Sequence, residues 1–74
     1  MENLAQTLGR NIRDNRLKRR RTQEDLSDQV GIHYTFLGHI ERGTKLPSVP
    51  TLLRIAAALE VPPAALLKGA SPGL

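Results

Sequence analysis

The sequence predicts an all-α fold, a compact five-helix domain, and three observations predict it. Apolar residues recur at helical spacing, as in Leu4, Leu8, Ile12 and again in Leu52, Ile55, Ala56, Leu59. No segment keeps the alternation of a half-buried strand over more than a few residues. Glycine and proline fall between the periodic segments, at Gly31, Gly43, Pro47 and Pro62-Pro63, where short helices would end and begin. With 74 residues, the chain has room for one domain, here residues 1–74.

The first helix is expected over about Asn3 to Arg19, with Leu17 near the stripe of Leu4, Leu8 and Ile12. Thr22, three residues before Asp25, predicts a capping-box start for a second helix carrying Leu26 and Val30. Gly31 tolerates the left-handed backbone needed just past a helix end. A third helix then runs from about His33 to Arg42 and stops at Gly43. Residues 44–48 read as a loop, with Ser48 as the cap of a fourth helix through Leu59. Proline suits a first helical turn, so Pro63 to Lys68 forms a short fifth helix holding Leu66 and Leu67, followed by a frayed tail over 69–74. Periodicity leaves open whether Leu53, Leu67 and Leu74 lie in the core.

Composition narrows the function. The absence of cysteine removes disulfides, thiolate metal sites and a cysteine nucleophile. The start of the chain has neither the basic nor the apolar segment of a secretory signal, and the longest apolar run, Ile55 to Leu59, is far short of the ~20 residues that span a bilayer. A soluble, cytoplasmic protein is expected. Eleven basic residues against seven acidic give a net charge of +4. Seven of those eleven lie between Arg10 and Arg21, opposed there by Asp14 alone. Such a cluster is either a phosphate-facing surface or a solvated helix end complementing the helix dipole.

No catalytic constellation is visible. Ser27 has no nucleophile setting, Glu24, Asp25 and Asp28 share one exposed helix, and no glycine-rich phosphate loop follows a strand. His33 and His39 are six residues apart, about 120° apart on a helix, so they do not clamp a metal as an i, i+4 pair would. No cofactor and no enzyme activity are expected.

The informative segment is 22–43, two short helices meeting at Gly31, with apolar residues at 26, 30, 32, 37 and 40 turned to one core. The third helix keeps another face outward, and an α-helix fits the major groove of DNA. Thr22-Gln23-x-x-Leu26, Gly31, Ile40-Glu41-Arg42-Gly43 and Leu52-x-x-Ile55-Ala56-x-x-Leu59 resemble the Cro/C1-type, lambda-repressor-like helix-turn-helix family over roughly Leu8 to Leu67. Residues 33–43 are similar to the recognition segment of small stand-alone regulators such as restriction-modification controller proteins.

The resemblance implies a sequence-specific transcriptional regulator of double-stranded DNA. It implies base contacts from Tyr34, Thr35 and His39, the last facing either a base or a phosphate. It implies backbone contacts from Gln23, Arg42, Thr44 and Lys45, with His33 in the place of a capping serine or threonine and able to meet phosphate instead. Arg16 and Glu41 match a buried pair tying the first helix to the end of the third. Arg20 stands where the family commonly has glycine and Arg21 where it has an apolar residue, so the exit of the first helix is expected to differ in shape; Arg19, Arg20 and Arg21 are carried over as phosphate contacts. Phe36, beside Leu37 and Ile40, is expected in or near the core, and Tyr34 on the opposite side.

One recognition helix reads only a few base pairs, so a homodimer on a two-fold operator is expected, with Leu53, Val61, Leu66 and Leu67 as its interface. RNA polymerase is a further expected partner. The rival reading is a protein-interaction module or antitoxin-like adaptor in which DNA binding is secondary.

Overall fold

A computed structural model of the protein describes residues 3–70. Its helices there are α1 (Leu4–Lys18), α2 (Gln23–Val30), α3 (Tyr34–Glu41), α4 (Val49–Leu59) and α5 (Pro63–Leu66). Each begins close to where capping chemistry places it. Asn3 and Gln6 form a capping box at α1, Thr22 and Asp25 another at α2, and the Ser48 hydroxyl accepts from the Thr51 amide at α4. The turn after α2 is left-handed at Gly31, with φ 85°. Helix α5 ends at Leu66, shorter than expected, and residues 71–74 of the anticipated tail lie outside the described residues.

All five helices contribute to one core: Leu8 and Ile12 from α1, Leu26 and Val30 from α2, Leu37 and Ile40 from α3, Ile55, Ala56 and Leu59 from α4, and Leu66 from α5. Each fully buried aliphatic side chain is worth about 1.5 to 3 kcal/mol, so stability is spread over many small contributions. Phe36, Leu52 and Val61 pack against the cluster while partly buried. Leu53 and Leu67 are exposed.

Two expectations are corrected here. Leu17 is half exposed, because the i+4 stripe Leu8, Ile12 continues into Arg16 instead. Leu66 has no exposed surface, since it seals the core beneath α5, and is therefore unavailable to a dimer interface.

Helix α1 crosses the C-terminal end of α3 at very close range. A Cβ on Gly9 would sit 2.2 Å from the Ile40 carbonyl oxygen and 2.7 Å from that of Glu41. Glycine inside a helix costs about 0.8 to 1 kcal/mol relative to alanine, and here it permits backbone to touch backbone. Asn11, two residues on and on nearly the opposite side of α1, donates from Nδ2 to the carbonyls of Leu66 and Lys68, both at 2.9 Å, and so fastens α5 to α1.

Candidate nucleic-acid interface

The helix-turn-helix unit is α2, the Gly31 turn and α3. Leu37 and Ile40 anchor α3 in the core, leaving Tyr34 half exposed, Thr35 exposed and His39 half-buried on the outward side. His33 begins the helix. Its ring Nδ1 accepts from the Thr35 amide at 3.1 Å, and its ring stacks on Tyr34 with centroids 4.7 Å apart. The imidazole therefore does the work of the serine or threonine common at a helix start, with its Nδ1 engaged by the backbone.

Arg16 and Glu41 meet in a bidentate pair. Arg16 Nε donates to Glu41 Oε2 at 2.7 Å and Nη2 to Oε1 at 3.0 Å, with side chains only 10% and 3% exposed. Gln23 Nε2 donates a third bond to Oε1, and Arg16 Nη1 reaches the Arg21 carbonyl at 2.9 Å. One buried carboxylate thus joins α1, the start of α2 and the end of α3 through charge-assisted bonds. The consequence is positional: Gln23 and the recognition helix are held in one frame. Among the described residues, no buried side-chain nitrogen or oxygen lacks a hydrogen-bond partner.

At the same C-terminal end of α3, His39 Nδ1 lies 3.1 Å from Thr44 Oγ1 and 3.4 Å from Arg42 Nη2. The Thr44 hydroxyl donates to the His39 carbonyl at 3.0 Å, holding the residues after α3 against the helix. Lys45 is exposed just beyond. A groove of about 480 Å³ opens between the exit of α1 and Tyr34, with Leu17, Arg20, Thr22 and Gln23 along its wall.

The three arginines at the exit of α1 divide. Arg20 has φ 54°, so it adopts the left-handed conformation that a glycine would take, and the exit keeps its turn despite the substitution. Such a conformation costs a non-glycine residue about 1 to 2 kcal/mol. Arg19 turns to Glu60 at 2.6 Å, and Arg21 donates to Gln29 Oε1 and to the Ala58 carbonyl. The Glu60 carboxylate and the Ala58 carbonyl, both at the end of α4, take the guanidinium groups of these two.

Sequence reasoning missed Gly9 and Asn11. A glycine inside an otherwise regular helical pattern was the visible signal for the first. The second is a bond between residues 55 apart in the chain, for which no local pattern exists.

Comparison with known proteins places this geometry. A helix-turn-helix family model of the Cro/C1 type matches residues 12–66. The chain is 36% identical over 66 residues to control protein C.BamHI of Bacillus amyloliquefaciens, covering 88% of this chain and 82% of that protein. It is 39% identical over 62 residues to the HTH-type transcriptional regulator SutR of Escherichia coli (strain K12), covering 84% of this chain but only 35% of that longer protein. The crystal structure of the restriction-modification controller protein C.AhdI from Aeromonas hydrophila superposes with a TM-score of 0.81 at 29% identity, over 84% of this chain and 94% of that one. The family model spans most of the chain, including all of α2, α3 and α4, and the chain belongs to the Cro/C1-type helix-turn-helix family of DNA-binding transcriptional regulators.

Proposed function

We propose that the protein reads a specific operator in the major groove with α3, as a homodimer on a two-fold symmetric site. The observation that carries this reading is the division of α3: Leu37 and Ile40 are fully buried, while Tyr34, Thr35 and His39 lie on the outward side. Major-groove edges distinguish all four base pairs, so side chains on that face are the ones able to specify sequence. Gln23, Arg20, Thr44 and Lys45 flank the face and supply phosphate contacts, which set register and salt dependence without carrying sequence.

The dimer reading rests on the exposure of Leu53 and Leu67 and the partial exposure of Val61. In helix-turn-helix dimers the half-sites lie about 34 to 36 Å apart, so the two-fold contact falls away from the groove-reading helix. A regulator bound at a promoter in the cytoplasm is also placed to touch RNA polymerase, which a pull-down with and without operator would register. Among the described residues no helix is long and apolar enough to cross a membrane.

The experiment is selection from random duplexes, followed by sedimentation equilibrium on the selected DNA. A palindromic consensus bound by two chains is expected. One chain per full site with no symmetry in the selected sequences would remove the dimer, and failure to select any sequence would remove specific recognition.

A further inference from the structure

Gly38 sits in the middle of the recognition helix, buried, yet its missing side chain would not point into the apolar core. A Cβ there would meet Arg42 Nη1 at 3.2 Å and the Gln23 carboxamide at 3.7 and 3.8 Å. Polar side chains, not aliphatic ones, cover this glycine. Gly38 lies one turn beyond Tyr34, and Arg42 one turn beyond Gly38; Thr35 is three residues before Gly38 and seven before Arg42. Residues so spaced share one face of a helix, here the outward one.

The guanidinium of Arg42 is therefore folded back along that face. It lies over Gly38, and its Nη2 stands 3.4 Å from His39 Nδ1. A backbone-contacting arginine at a helix end would extend outward from the last turn. This one lies beside Gly38 and His39, on the helix face whose spacing also includes Tyr34 and Thr35. Its fork of donors is planar and always charged, the geometry that matches the O6 and N7 acceptors of guanine in the major groove.

We propose that Arg42 is a base-reading residue that specifies a guanine in each half-site, and that Gly38 is its positioning residue, leaving the slot in which the guanidinium lies. The assignment rests on the major-groove reading above and replaces the backbone role that the resemblance implies for Arg42. It also accounts for a glycine inside the recognition helix, where the helix itself would favour alanine.

The test is duplex selection and competition binding with the parent, Arg42→Lys and Gly38→Ala. Lysine keeps the charge and loses the fork, so Arg42→Lys should lower affinity for the selected operator by about 5- to 150-fold more than for random duplex, the value of one bidentate base contact. The loss should map to one guanine position per half-site in the selected sequences. Gly38→Ala meets only the end of a flexible side chain, so its melting temperature should match or exceed the parent's while selection at the same guanine weakens. Equal losses on operator and random duplex for Arg42→Lys, with an unchanged consensus, would show Arg42 to be a phosphate contact and overturn the proposal. If the parent selects no consensus at all, the major-groove reading itself fails, a result distinct from the failure of Arg42 alone. Melting of Gly38→Ala well below the parent would show that Gly38 is needed for packing, and Arg42→Lys would then decide the base contact by itself.

Discussion

Two arginine–glutamate pairs among the described residues have the same chemistry and opposite settings. Arg16–Glu41 lies inside the junction of α1, α2 and α3, with its carboxylate receiving three N–H bonds. Arg19–Glu60 is as short, at 2.6 Å, but its side chains are 35% and 67% exposed. Distance alone would rank them together. Burial separates them, because removing one partner of a buried pair leaves an uncompensated charge, whereas an exposed pair trades its attraction against water, salt and side-chain entropy.

The largest effect should follow from breaking the inner pair. Glu41→Gln is expected to cost about 3 to 5 kcal/mol and to lower the melting temperature by at least about 10 °C. Thermal unfolding followed by circular dichroism measures it; melting within error of the parent would place the two pairs in one class. The same junction can be strained without touching a charge. Gly9→Ala improves helix propensity but drives a methyl group into the Ile40 and Glu41 carbonyls, so a net loss of about 1 to 3 kcal/mol is expected. A stabilised Gly9→Ala variant would mean that α1 and α3 are free to separate.

Smaller effects belong to the outer pair. Glu60→Ala should change stability by no more than about 1 kcal/mol. Because Glu60 has φ 58°, Glu60→Gly should be more stable than Glu60→Ala by roughly 1 kcal/mol, even though both lose the ion pair. Chemical denaturation of the two variants side by side reads that order, and the reverse order would sink the strain argument. The smallest effect is at Asp25. Bonding to the Thr22 backbone amide first, then the Thr22 hydroxyl, and the nearby Arg21 charge hold its carboxyl below the ordinary carboxylate value. A depressed folded-state value contributes stability above the unfolded pKa of about 3.9, lost as pH falls through the folded value. Asp25→Asn should therefore flatten the acid side of the stability curve slightly and leave the slope near neutral pH unchanged.

Local chemistry made much of this molecule legible in the sequence. Thr22 with Asp25, Ser48, the left-handed Gly31 and the i, i+4 rows of leucine and isoleucine are short-range signals, and the helices begin where those signals lie. What local pattern could not carry was the destination of a long side chain. Arg16, Arg19, Arg20 and Arg21 are neighbours in sequence with four different surroundings: a buried carboxylate, an exposed carboxylate, a strained turn at a groove and a helix-end carbonyl. Leu17 and Leu66 were misjudged for a related reason. Each is a leucine on a helix, and only the positions of the other helices decide which one is covered.

The bonds from Asn11 to the carbonyls of Leu66 and Lys68 carry a consequence for local opening. Four residues are too few to hold a helix by propagation alone, so α5 exists because Leu66 is seated in the core and one carboxamide grips the turn around it. Elements of this kind open on their own, well before global unfolding, and their amides exchange with solvent accordingly. Leu67 rides on this segment. If it serves as a subunit contact, association and the closed form of α5 are linked by mass action: each second copy bound draws the latch shut, and Asn11→Ala would loosen the assembly from a distance without altering any residue at its surface.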